Sequence, residues 1–338
     1  MAPRPRVLLV VAAFAGLPLA AALVGLAVGG AAGITPLDAL RTLVGLDART
    51  ADPALVETIV WQIRAPRVVL LLLAGAALAG SGAALQACLE NPLAAPSLLG
   101  LSSGASLGAV TAYVSGLALA RPLTVPALAF VGALAALCAV YAIAWSAGRP
   151  TPGALLLTGV AVGSLCSSLV SVLLLAAGSH RIHEIFAWLL GSAEGRTWQH
   201  VRLALAPVCL GLALLFAARR VIDALALGEE HAIGSGVDVL RARAGVFAAI
   251  ALASGGAVSV VGPIAFVGLM VPHAVRGLVG APARVLLPAS ALGGAGFLVL
   301  CDALARVASR SVDVPVGVVT ALAGVPFFLV LLHRSRRT

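Results

Sequence analysis

"VWQIRAPRVVLLLLAGAALAG", residues 60–80, decides how this chain is read. After Arg67 no charge appears up to Cys88, a run long enough to cross a hydrocarbon core. Two arginines, Arg64 and Arg67, announce that run, with Pro66 between them. Proline is tolerated in the first turn of a helix. A helix starting here would therefore set Arg64 and Arg67, three residues apart, on one face. Lipid phosphates reached by snorkelling are one candidate partner for that face. Carboxylates, which a guanidinium fork pairs bidentately, are the other.

Similar apolar runs recur along nearly the whole length. The chain has 338 residues, 61% of them apolar and 10% charged, with a mean hydropathy of +1.09. Soluble domains carry about 25% charge. The runs are continuous and lack the alternation of a β-barrel. The expected fold class is therefore all-α, a polytopic membrane protein of about ten helices. All 22 basic residues are arginine. No arginine-rich run is interleaved with aromatics, so the pI near 10.8 does not imply nucleic acid. Cys88, Cys138, Cys166, Cys209 and Cys301 all sit inside apolar runs and at no metal-ligand spacing. They are expected to be small packing residues.

The expected spans are 7–30, 67–88, 98–118, 123–147, 154–177, 201–218, 244–261, 264–280, 285–305 and 315–333. An even number puts both termini on one side. Arg4 and Arg6, with Arg334, Arg336 and Arg337, place that side in the cytoplasm. Residues 31–66 and 178–200 would lie outside and 219–243 inside. This topology puts 12 arginines inside and 10 outside, a weak bias. Some outer arginines should therefore have a task, and Arg64, Arg67 and Arg306 lie at span ends. "ALAGSGAALQ" (77–86) echoes "ALASGGAVSV" (251–260), each followed by a proline and a Leu/Gly-rich stretch. The chain thus reads as one domain, 1–338, in two halves (about 1–200 and 201–338). The halves run in opposite senses, as in the inverted repeats of transporters. Chance similarity between Ala/Gly-rich helices is the competing explanation.

No catalytic constellation appears. The glycine clusters 100–108 and 254–262 lack the lysine and preceding strand of a phosphate loop and read as close helix packing. Asp302 is the one acid embedded in a span, four residues before Arg306, a spacing that favours pairing on one helix face. An ion-coupled transporter keeps an ionisable residue near mid-membrane, and none is offered here. Energy should then come from elsewhere, which draws attention to the inner segment "IDALALGEEHAIGSGVDV" (222–239). It reads as two short helices broken at Gly234 and Gly236, with Asp223, Glu229, Glu230 and Asp238. It is either a solvated loop or a docking surface for a cytoplasmic motor.

Five stretches carry a resemblance: 64–110, "FAWLLGSAEGRTW" (186–198), "LALGEEHAIGSGV" (225–237), "GPIAFVGLMVPHAVRGLVG" (262–280) and "VDVPVGVVTALAGVPFFLVLL" (312–332). They resemble, in order, the permease subunits of binding-protein-dependent ABC importers for siderophores, haem and cobalamin, the FecCD/BtuC-like family. The resemblance implies a homodimer in the bacterial inner membrane, two cytoplasmic ATPase subunits and a periplasmic binding protein. It implies no catalysis by this chain and no cofactor. It assigns Arg64, Arg67 and Arg306 to docking of the binding protein. Asn91 and Leu93 become one cytoplasmic gate, and Pro152 and Gly153 a second, where the family's small polar residues are replaced. Segment 222–240, with Leu227, Gly228, Glu229, Glu230, Gly234 and Gly236, becomes the coupling helices on the ATPase. His180 and His183 near the outer mouth are candidates to touch haem iron, and haem is the favoured substrate over siderophore and cobalamin. Rival readings are an ion-coupled secondary transporter and a membrane scaffold.

Overall fold

A computed structural model describes residues 5–28, 34–46, 48, 52–121, 123–146, 148, 150–308 and 314–335, apart from the side chains of 5–13, 179–180, 331–332 and 334–335. Regular structure among the described residues is entirely helical. The first half holds α1 (Pro5–Ala27), α2 (Pro36–Leu43), α3 (Pro53–Thr58), α4 (Ala65–Cys88), α5 (Leu101–Val114), α6 (Leu117–Ala120), α7 (Thr124–Ser146), α8 (Pro152–Ala176) and α9 (Ser179–Leu189). The second holds α10 (Trp198–Ala217), α11 (Arg219–Leu225), α12 (Glu229–Gly234), α13 (Val239–Val261), α14 (Val267–Val279), α15 (Ala283–Ala308) and α16 (Val316–Ser335).

Each of the ten expected spans meets a helix. Six helical runs are long and apolar enough to cross a membrane: 53–88, 124–146, 152–176, 198–217, 239–261 and 283–308. The apolar stretches Phe14–Ala27, Val267–Val279 and Val316–Val330 are shorter, as is α5 with 14 residues. The second span departs from expectation at its start. It does not begin at Arg67. Helix is continuous from Pro53 through α3 and a wide π turn, Ile59–Arg64, into α4, 36 residues in all. Pro66 therefore lies inside a long helix rather than in its first turn. A proline has no N–H to give the preceding turn and its ring crowds that turn. A π turn beside it supplies the room.

The helices α4 and α13 are the buried axis of the bundle. In each, 78% of the most apolar window is covered, against 22% in α8. The echoing stretches fall on these two helices. Every residue of 77–86 is buried, and all of 251–260 except Leu252. The two helices pack against each other, and α4 also packs against α10, α14 and α15. Small residues let backbones touch where lipid gives no hydrophobic drive for helix association. A Cβ on Gly75 would overlap the Gly294 carbonyl on α15, and one on Gly82 the Gly268 carbonyl on α14. Gly104 and Gly108 meet α7 backbone in the same way, as the glycine clusters led us to expect.

The seam yields a contrast in stability. Gly294→Val should cost about 2–3 kcal/mol, because backbone rather than a flexible side chain blocks the new methyls. Gly245→Ala on α13 meets nothing within 4 Å and should be neutral or stabilising by up to about 1 kcal/mol. Thermal unfolding of the purified protein in detergent checks this. Equal midpoints for the two variants would mean that the α4–α15 backbone contact is not what holds the seam.

Candidate functional site

The end of the bundle where α1 meets α4 gathers the three arginines. The last carbonyls of a helix have no partner within it and form its negative pole. Arg64 donates through Nη1 to the Leu26 and Ala27 carbonyls at 2.9 and 3.1 Å. Arg306 donates to the Gly25 carbonyl at 2.9 Å and to that of Val28. Arg67 forks onto Asp302 of α15, Nε lying 3.1 Å from each carboxylate oxygen and Nη2 2.7 Å from Oδ1. Arg306 approaches the same carboxylate at 3.0 Å, the pairing that the four-residue spacing suggested. Asp302 is fully buried, Arg64 is 4% exposed, and the side chains of Arg67 and Arg306 are 13% and 7% exposed.

This corrects the expected geometry of Arg64 and Arg67. They do not present one shared face outward. The long helix touches both α1 and α15, which also pack against each other, and Arg64 reaches α1 while Arg67 reaches α15. The negative charge that waits for them is within the chain: one helix end and one carboxylate. Arg181 repeats the device, donating to the Tyr113 and Val114 carbonyls at the end of α5 at 2.9 and 3.0 Å.

A cavity of about 650 Å³ opens on the side of the bundle. It is lined by Ser97 and Ser102, the end of α9, residues 263–265 and α16 from Gly317 to Pro326. Two breaks in helix meet there, a 3-10 turn at Pro96–Leu99 before α5 and the irregular stretch 262–266 before α14. Each follows one of the echoing segments. Irregular backbone at membrane depth is tolerated where it lines a cavity. Ser97 also lines a second hollow of about 430 Å³, bounded by Gly159, Val160, Gly163, Ser164 and Ser167 on α8. Ser164, Ser167, Ser168 and Ser171 form an exposed stripe on that helix, their spacing placing them on one face. Sequence reading missed this stripe, although serine at such intervals in an apolar helix was visible. His183 is exposed on α9 and does not line the cavity, and the side chain of His180 lies outside the described residues.

The opposite end holds the remaining predicted residues. Asn91 closes a turn after α4, its Oδ1 accepting from the Leu93 N–H at 2.9 Å. Pro152 and Gly153 form the first turn of α8, capped by Thr151, whose hydroxyl accepts from the Ala154 N–H. Segment 222–240 contains two short helices, as expected, but they break at Gly228 and not at Gly234 and Gly236. Gly228 has φ +101° and ψ 157°, a conformation that side chains disfavour. Gly234 is helical, and Gly236 terminates α12, with Gly236 and Val237 N–H groups donating back to Ile233 and Ala232. Asp223 on α11 accepts from the Ala283 N–H that starts α15, at 2.7 Å. Buried Arg243 on α13 donates to the Pro150 carbonyl at 2.9 Å and reaches Glu229 at 3.5 Å.

Asp302→Asn keeps the shape of the carboxylate while stranding two guanidinium groups. Removing one partner of a buried pair costs about 3–5 kcal/mol. Adding Arg67→Met should recover part of that loss, and the double-mutant cycle measures the coupling. An unchanged thermal midpoint for Asp302→Asn would show that the pairing does not hold this end together.

Comparison with known proteins agrees with this architecture. Residues 17–334 match the FecCD transport family. The cobalamin import system permease BtuC of Halobacterium salinarum is 44% identical over 298 residues, 88% of this chain and 79% of that protein. The Fe(3+) dicitrate transport permease FecD of Escherichia coli is 40% identical over 280 residues, 82% of this chain and 86% of that one. The hemin transport permease HmuU of Yersinia pestis is 38% identical over 291 residues, 82% and 84% of the two chains. A solved inward-facing ABC transporter assigned to the metal-chelate type matches with a TM-score of 0.82 and 28% identity, over 97% of this chain and 99% of that one. The chain belongs to the FecCD transport family and is a permease subunit of an ATP-binding-cassette importer.

Proposed function

We propose that this permease imports a tetrapyrrole metal chelate through a pathway formed with a second copy of itself. The observation that carries the reading is the side cavity where two helix breaks meet, whose Ser97 also lines the hollow beside the serine stripe of α8. That stripe is exposed on a helix whose own chain covers only 22% of its apolar window. Ser167, Ser168 and Ser171 donate to carbonyls one turn earlier at 2.9, 3.0 and 3.1 Å, and each hydroxyl oxygen keeps acceptor capacity that water or a partner can meet and lipid cannot. The cavity has apolar walls with a few hydroxyls, which suits a large chelate with an apolar body.

In this reading the α1–α4 end faces the periplasm and the α11–α12 end the cytoplasm of a bacterial inner membrane, with both termini cytoplasmic. The two halves are an inverted repeat whose equivalent breaks open on the one cavity. Two cytoplasmic ATPase subunits dock on segment 222–240, and Asn91, Leu93, Pro152 and Gly153 gate the inner mouth. A periplasmic binding protein docks on the other end. There three guanidinium groups face one carboxylate, and the excess positive charge attracts carboxylates on that partner, Arg67 being the most open. Rim charges of this kind act mainly on association rate. The geometry argues against ion-coupled transport, since the embedded acid, Asp302, is held by Arg67 and Arg306.

Haem is the substrate favoured by the sequence. Cobalamin is the second reading, supported by the 44% identical relative named for cobalamin import. Liposomes containing the permease with its ATPase and binding protein should accumulate haem or cyanocobalamin only when ATP is supplied. Uptake restricted to a ferric hydroxamate would overturn the tetrapyrrole assignment. Uptake driven by a proton or sodium gradient without ATP would overturn the transport class.

A further inference from the structure

Two polar contacts that α11 and α12 make with the bundle differ in character. Asp223 on α11 caps the start of α15 at 2.7 Å, a short and closed bond. Glu229 on α12 meets Arg243 at 3.5 Å, a longer contact with room to shorten. The side chain of Glu229 is 40% exposed and that of Arg243 only 3%. A body pressing on α12 would meet the acid first and the arginine only through it.

Arg243 is also an expensive residue to keep here. Its Nε is buried and has no partner. An apolar side chain of similar volume would hold a packed interior at least as well as a buried ion pair. Its second contact suggests why the charge stands there. Nη1 donates to the Pro150 carbonyl at 2.9 Å. Pro150 immediately precedes Thr151, the cap of α8, and the Pro152–Gly153 turn. Arg243 stands on α13, a largely buried helix whose first turn is tied to α7 by the Tyr141 hydroxyl, which donates to the Leu240 carbonyl at 3.3 Å. The element at its other end, α8, is the long span least covered by its own chain.

We propose that Arg243 is a positioning residue that transmits movement of α12 to the inner end of α8, and so to the pathway face. The proposal rests on the reading that segment 222–240 docks on the ATPase. When α12 is displaced, the Glu229 carboxylate moves, the guanidinium follows it, and the Pro150 carbonyl is drawn along. The first turn of α8 then tilts. The Asp223 contact keeps α11 and α15 together meanwhile, so the motion is directed at α8.

The test uses the assembled transporter in liposomes with binding protein, supplied with haem and cyanocobalamin, and reads ATP hydrolysed and chelate taken up. Glu229→Gln should lower uptake per ATP about threefold, the scale of one half-exposed ion pair, whatever its effect on the rate of hydrolysis. Arg243→Met should do the same, and the double variant should be no worse than either single one, because both break one chain of contacts. Arg243→Lys should recover part of the uptake, since a lysine can hold Pro150 or Glu229 but not fork to both. If Arg243→Met fails to assemble, Glu229→Gln decides alone. Wild-type uptake per ATP in Glu229→Gln overturns the proposal, and so does a proportional fall in hydrolysis and uptake. A disulfide trap between Leu227→Cys and a cysteine on the ATPase separates the two readings. Its absence removes the docking surface itself, whereas its presence with unchanged uptake per ATP removes only the role of Arg243.

Discussion

The seam between α4 and α15 is the contact on which the rest of the structure depends. In a membrane the hydrophobic effect does not press helices together, so they associate through close packing and polar contacts. This seam has both. At its middle Gly75 and Gly294 bring backbone against backbone. At its end Arg67 forks onto Asp302, with Arg306 completing the charge pair. The same cluster then fastens α1, whose terminal carbonyls receive Arg64 and Arg306. One carboxylate and one helix end thus hold three guanidinium groups inside the protein. What remains uncompensated is a modest excess of positive charge at one end, which the chain can offer to a partner without unpacking.

Much of the fold was legible in the sequence, for a physical reason. A span must be a long apolar helix because lipid satisfies no backbone group, and such runs are visible without knowing any contact. The Asp302–Arg306 pair was legible because helix geometry makes four-residue neighbours meet. The partner of Arg67 was not, since Asp302 lies 235 residues away. The acceptors of Arg64 were less legible still, because a backbone carbonyl has no letter in the sequence. The π turn before Pro66 escaped for a related cause: proline announces a break in hydrogen bonding but not whether the chain ends the helix or widens it. In segment 222–240 three glycines stood close together, and only backbone angles tell that Gly228 breaks the helices while Gly236 ends the second.

In the proposed reading, function divides between the two ends and the side of the bundle. One end is clamped by charge, and the other offers two short helices with different holds on the bundle. Between them lies the lightly covered α8, with its serine stripe beside a cavity built from broken helix. Relatives named for cobalamin, Fe(3+) dicitrate and hemin transport are 38–44% identical to this chain. In the proposed reading, substrate choice resides in the few side chains that line the cavity and the stripe, rather than in the buried seam.

The central claim is that the serine face of α8 lines a water-filled route in the assembled permease. It is tested most directly by thiol accessibility. Single cysteines at Ser164, Ser168 and Ser171, and at Leu165 and Leu169 on the adjacent flank, would be introduced after replacing the five native cysteines. The account predicts rapid labelling of the three serine positions by a membrane-impermeant maleimide, with protection when chelate is transported, and slow labelling of the two leucine positions. Equal, slow labelling at all five positions would place the stripe against lipid or packed protein and contradict the account.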